Sequence, residues 1–240
     1  MLSAVLWGGL AAASLLVGFY LASRGLTNRT VGLIMGFGAG ALISAIAYEL
    51  VPESALGGGA MWAAFLLGAI SFFLADWFVD RRGGADRKDI AGDKAGGSGL
   101  AIFIGTLLDN VPESIVLGMG LALGGAINLA FLAAVFISNL PEGVAGTLNL
   151  EAAGRSRSNI FWMWTALVII STVWAGLGYL AGIWLPGVNG RITQAFAAGA
   201  MLTMLADAMM PEAFEHGGKL VGIFTVMGFL VSATLAVWQG

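Results

Sequence analysis

Residues 100–123 read LAIFIGTLLDNVPESIVLGMGLAL. Apart from Asp109 and Glu113 the stretch is uncharged, and as a helix it is long enough to cross a hydrocarbon core about 30 Å thick. Two carboxylates and Pro112 then fall near the bilayer midplane. Charge at that depth costs at least about 2.5 kcal/mol per residue, so a functional site is the default explanation. What neutralises these charges is the way into the function.

Composition supports a membrane setting. Of 240 residues 58% are hydrophobic and 10% charged, which lies outside the soluble globular range. Apolar stretches of spanning length recur at 3–23, 31–54, 60–80, 99–121, 126–149, 160–184, 191–213 and 219–238. The sequence therefore predicts an all-α integral membrane protein of eight transmembrane helices, with one transmembrane domain over 1–240. Trp7, Trp62, Trp77, Trp162, Trp184 and Trp238 fall near the span ends, as interfacial aromatics do. The N-terminus lacks the basic region and cleavage site of a signal peptide, so the first span is expected to be retained. With no cysteine in the chain, disulfides and thiolate metal sites are excluded.

The basic residues set an orientation. Arg24 and Arg29 follow span one; Arg81, Arg82, Arg87, Lys88 and Lys94 follow span three; Arg155 and Arg157 follow span five; Lys219 follows span seven. Only Arg191 lies on the other side. The positive-inside rule makes these four loops cytoplasmic and both termini extracytoplasmic, in a multi-pass protein of the plasma or inner membrane. The longest loop, about 81–98, is rich in Gly and mixed charge and reads as a flexible cytoplasmic linker.

Two internal repeats sharpen the picture. GFGAGALISAIAYELVPES (36–54) aligns without a gap on AFAAGAMLTMLADAMMPEA (195–213), sharing a Phe, an Ala-Gly-Ala triplet, a later Ala and a Pro-Glu pair. LLDNVPES (107–114) matches FISNLPEG (136–143) through Asn-x-Pro-Glu. Spans two and seven run in opposite directions, as do four and five. Opposed copies of one element mark inverted-repeat transporters, whose substrate sites lie near midplane. Chance similarity among Ala/Gly/Leu helices is the competing explanation.

On a helix Asp109 and Glu113 are four apart, as are Ser138 and Glu142, and Asn110 and Asn139 lie three before their glutamates, so each set shares a face. Pro112 and Pro141 cannot donate to the carbonyls of Leu108 and Ile137, which leaves those oxygens for water, a hydroxyl or an ion. An ordinary kink explains one such proline less well when two matched segments carry it. Glu49 and Glu53 close span two on the outer side; Asp207 and Glu212 close span seven on the inner side. These acids describe an entrance and exit path, although Glu53 and Glu212 taken singly also fit solvated helix ends. Asp76 reads as a surface ion pair with Arg81 and Arg82, and His216 as a helix C-terminal cap.

No Lys or Arg lies within a span to balance the midplane carboxylates. Protons can do so, since desolvation and crowding raise carboxylate pKa values. A metal cation does it better, because Asn, Ser and freed carbonyl oxygens complete a coordination shell that protons do not need. The expected partners are therefore a divalent cation, as cargo with no resident cofactor, and membrane lipids; no nucleic acid is expected.

Eight spans, extracytoplasmic termini and paired Pro-Glu motifs in spans four and five resemble the ZIP (Zrt-, Irt-like) metal transporters, along the whole chain. In that family span four reads His-Asn-x-Pro-Glu-Gly and span five His-x-x-Pro-Glu or His-x-x-Pro-His. Here the motifs stand as Asp109-Asn110-Val111-Pro112-Glu113-Ser114 and Ser138-Asn139-Leu140-Pro141-Glu142-Gly143. The resemblance implies metal contact for Asp109, Asn110, Glu113, Asn139 and Glu142, with Ser138 a weaker ligand. It also implies that family's bundle, often a homodimer, working by alternating access or a sliding transport domain, with zinc, manganese or iron as cargo.

The chain departs from the family at both motif histidines, at the span-six acid, where it reads STVWAGLG (171–178), and in having no histidine-rich loop. An all-oxygen donor set suits Mn²⁺, Mg²⁺ or Ca²⁺ better than imidazole sites do. A passive cation channel or a proton-coupled permease for another solute is the main alternative. An intramembrane hydrolase would lack a nucleophile or HExxH zinc motif, so no enzyme is expected.

Overall fold

The computed structural model describes residues 1–51, 58–84, 99–124, 127–184 and 188–239. Among them eight helices are long and apolar enough to cross a membrane: Leu2–Ala22, Asn28–Leu50, Gly59–Gly84, Gly99–Leu123, Leu129–Ala152, Arg157–Trp184, Gly190–Gly217 and Leu220–Trp238. They are spans one to eight of an integral, multi-pass, all-α membrane protein, as the hydropathy pattern predicts. Local chemistry places several of their ends. The Thr27 hydroxyl accepts from the Thr30 amide at 3.2 Å to start span two. The Asn128 carbonyl oxygen accepts from the Phe131 amide at 2.8 Å to start span five, three residues later than hydropathy alone suggests.

Span two stops earlier than the sequence predicts. Val51 leaves helical geometry at φ −124°, ψ 53°, as a residue preceding a proline tends to do. Glu53 lies outside the described residues, as do positions 85–98 of the expected linker. Span three runs on through Arg81 and Arg82, whose guanidinium carbons sit 3.7 Å and 3.4 Å from the ring centroids of Trp77 and Phe78. Span seven continues past 213 to Gly217, and Gly218, at φ 66°, turns the chain.

The proposed repeat of spans two and seven reappears in a form that hydropathy cannot reveal. Each contains one wide π turn, Ile46–Leu50 and Leu205–Met209, at the same place in the 36–54 and 195–213 alignment. The Val51 amide donates to the Ile46 carbonyl and the Met210 amide to the Leu205 carbonyl, five residues back in both cases. Each turn ends two residues before the proline of the Pro-Glu pair. A proline ring collides with the carbonyl four residues before it, and a widened turn moves that carbonyl aside. Single π turns of this kind are frequent at functional sites.

Packing follows the same symmetry. The most extensive helix contacts join spans four and six, two and eight, three and seven, and one and five. Exchanging one with six, two with seven, three with eight and four with five carries this set onto itself. The closest approaches obey it as well. Gly40 and Gly228 bring spans two and eight together, where an added Cβ would collide with the carbonyl oxygens of Thr225 and Phe37. Gly199 and Gly68 do the same for spans seven and three, against Phe65 and Phe196. Gly40 and Gly199 are the central residues of the two Ala-Gly-Ala triplets, and Phe37 and Phe196 the aligned phenylalanines. Membrane helices gain little from apolar burial against lipid, so backbone contact at small residues carries much of their association.

Spans two, four, five and seven form the interior; span five is 72% buried and span eight 22%. One sequence expectation fails here. Asp76 is not a surface carboxylate, for it is 2% exposed. Span three continues beyond it as helix, so Asp76 sits inside the bundle, while Arg81 and Arg82 turn to the aromatic rings.

Candidate metal centre

Spans four and five each pass through their proline without a break. Their polar faces meet. The Asn139 amide nitrogen donates to the Asn110 side-chain oxygen at 3.1 Å, and the Asn110 nitrogen donates to the Thr106 carbonyl at 3.0 Å. The two Asn-x-Pro-Glu copies are thus joined at their shared asparagine. Asn110 uses both ends of its amide in this link, whereas Asn139 keeps its side-chain oxygen for another contact. Trp164, fully buried, donates its indole N–H to the Thr147 hydroxyl at 2.9 Å one turn beyond Glu142.

Glu113 and Glu142 are 1% and 6% exposed, and they line one cavity with Ser138 and Asn139. The Ser138 hydroxyl donates to the Val135 carbonyl at 2.9 Å, which leaves its lone pairs to face outward. Gly38 of span two makes room for it, since a Cβ there would come 2.8 Å from the Ser138 Cα. The empty space in the cavity is about 220 Å³. Asp109 and Asn110 are as deeply buried but are not among the residues that line this cavity. Of the six motif residues, Glu113, Ser138, Asn139 and Glu142 line this cavity together, while Asn110 hydrogen-bonds Asn139 across the two spans. Among the described residues no three His, Cys, Asp or Glu side chains form a cluster able to hold a metal.

Three further residues line the cavity: Met35, Met204 and Met209. Sequence reasoning missed them because Met204 and Met209 are five apart. On a regular α-helix that spacing puts them about 140° out of phase. The π turn between them, with its five-residue hydrogen bond, stacks them on one side.

The acids of the expected path are spread along the bundle. Glu49 lines a vestibule with about 1440 Å³ of empty space, together with Tyr48, Leu50, Asn128 and Gln194, at the end of the bundle that carries both termini. Its carboxylate bonds to the Asn128 side chain, so Asn128 both caps span five and holds Glu49. An asparagine just before the apolar run LAFLAAVF was the available sequence signal. Asp207 faces an opening at the surface between spans three and seven. Glu212 lies within the last turns of span seven, where its carboxylate meets His216 Nδ1 at 2.9 Å. His216 thus pairs with Glu212, and Gly218 ends the helix.

No family model matches the chain. It is 28% identical over 202 residues to the "Putative zinc transporter At3g08650" of Arabidopsis thaliana, covering 80% of this chain and 31% of that protein. It is 32% identical over 149 residues to zinc transporter ZIP11 of Xenopus tropicalis and 31% identical over 147 residues to that of Bos taurus. Those matches cover 59% and 58% of this chain and 44% and 43% of the relatives. The chain thus spans less than half the length of the curated relatives it matches. It is similar to proteins named as zinc transporters over 58–80% of its own length.

Proposed function

We propose that the protein is a carrier, not an enzyme, that moves divalent metal cations into the cytoplasm through a site built on spans four and five. The observation that carries this reading is the convergence of Glu113 and Glu142 on one cavity, brought from two oppositely directed copies of one motif. Two deeply buried carboxylates in a span need a cation, and Asn139 and Ser138 offer it further oxygens. The zinc transporter names of the relatives agree with such a cargo.

A carrier fits better than an open channel. The vestibule at the termini end holds about 1440 Å³ of empty space, against about 220 Å³ in the cavity between the glutamates. Leu50 and Gln194 of the vestibule are the repeat counterparts of Met209 and Met35 of the smaller cavity, taking the alignment one residue beyond 195 for Gln194. Equivalent positions of the two copies thus hold different arrangements, and exchanging them would open the opposite end, which is alternating access in an inverted repeat. The positive-inside rule makes the termini end extracytoplasmic, with Glu49 at the entrance and Asp207 and Glu212 towards the exit.

Uptake of Zn²⁺ and Mn²⁺ into proteoliposomes tests the reading. Saturation with external metal is expected; flux that rises without saturation points to a channel instead, and the absence of flux for every divalent ion rejects metal transport.

A further inference from the structure

At the end of the bundle away from both termini, spans four and six part around a groove with about 800 Å³ of empty space, open at the surface. We infer that this groove binds an anionic phospholipid of the cytoplasmic leaflet, with its phosphate on Arg155 and Asn159 and an acyl chain laid between the two spans. The site lies outside the metal centre and depends only on the orientation that the positive-inside rule gives.

The lining is graded along the membrane normal. Arg155 stands just before span six begins at Arg157, and Asn159 lies in its first turn. Trp162, 64% exposed, follows one turn further in, at the depth where interfacial aromatics sit. Met163 and Ala166 of span six and Phe103 of span four continue the groove with apolar surface. Ala166 lies about 14 Å along the helix from Arg157, so the groove runs from headgroup depth into the acyl region.

The arginines at this corner are used differently. Arg157 pairs with Glu151 at 3.1 Å, donates to the Phe19 carbonyl at 3.1 Å and lies over the Phe19 ring. Among the described residues Arg155 has no ion pair and no side-chain hydrogen bond, and neither does the Asn159 amide. The Arg155 guanidinium lies instead against the start of span four, where a Cβ added to Gly99 would come 2.7 Å from Arg155 Nε. There it faces the positive end of the helix dipole, and a phosphate between the two removes that repulsion. Guanidinium also matches phosphate geometry better than an ammonium does. Basic pockets between spans on the cytoplasmic side suit anionic headgroups, whereas a purely apolar occupant would leave the guanidinium unanswered.

Native mass spectrometry of the purified chain in detergent, titrated with dioleoylphosphatidylglycerol or dioleoylphosphatidylcholine, tests the site. The parent is expected to prefer phosphatidylglycerol about fivefold, the weight of one arginine near a lipid headgroup. Arg155→Gln should abolish that preference. Arg24→Gln, which removes a charge at the same end of the bundle but outside the groove, should keep it. Equal binding of both lipids by the parent overturns the inference whether or not the variants fold. So does a preference that survives Arg155→Gln, or one that Arg24→Gln removes equally. Ala166→Trp fills the acyl end with charge unchanged and decides should Arg155→Gln fail to fold: undiminished phosphatidylglycerol binding by it overturns the inference. A lipid-free dimer would do the same, by putting a second copy of the chain in the groove.

Discussion

Asn110 and Asn139 are hydrogen-bonded to each other across the interface of spans four and five, with 3.1 Å between the Asn139 nitrogen and the Asn110 oxygen. The contact joins the same residue of two inverted motif copies, but its ends are not equivalent. Asn110 is consumed by structure, while Asn139 retains an oxygen at the cavity. Asn110→Ala should therefore cost about 1–3 kcal/mol of stability, since it strands a buried donor on Asn139, while leaving residual uptake. Asn139→Ala should lose both stability and uptake. Thermal unfolding in detergent beside proteoliposome flux separates the two; equal uptake in both variants would deny the distinction.

Glu113→Gln and Glu142→Gln keep side-chain size and remove charge. Each should bring uptake below detection while the protein still folds, because the carboxylate pair is what balances the cargo's charge at midplane. Normal uptake by both single variants would sink the site assignment.

At the vestibule, Glu49→Gln should mainly raise the external metal concentration for half-maximal uptake. Asn128→Ala should do the same and in addition cost about 0.5–2 kcal/mol through loss of the helix cap. Glu212→Gln, which also breaks the pair with His216, should mainly lower the maximal rate. Uptake titrated against external metal reads both parameters, and one common effect for all three variants would argue against a directional path.

Ser138 lines the cavity and Asp109 does not. Of the two positions that carry histidine in the resembling family, Ser138→His should therefore raise the Zn²⁺/Mn²⁺ uptake ratio alone, whereas Asp109→His alone should move it less. Competition uptake decides between them. Gly38 must yield to the larger ring, so a stability loss of about 1–3 kcal/mol is expected as well.

The glycine contacts predict symmetric damage. Gly40→Ala and Gly199→Ala should each destabilise by about 1–3 kcal/mol, the first loosening spans two and eight, the second spans three and seven. Gly40→Ala with Gly228→Ala should be less than additive, since both act on one helix pair. Unfolding temperatures of the singles and the double measure this.

The sequence by itself determined the number of the spans, the repeat of two with seven and four with five, and the buried Glu113 and Glu142, because hydropathy, proline and midplane charge are local properties of a helix in lipid. Its reading of Asp76 failed for the same reason: proximity to Arg81 and Arg82 along the chain says nothing about which face packs inward. Only the tertiary structure decided that Asn110 binds its copy and that Asn128 holds Glu49. It also decided that Met35, Met204 and Met209 meet the glutamates. Those relationships join residues from different spans, and the last depends on a π turn that shifts the phase of span seven, which a constant 3.6-residue period cannot express.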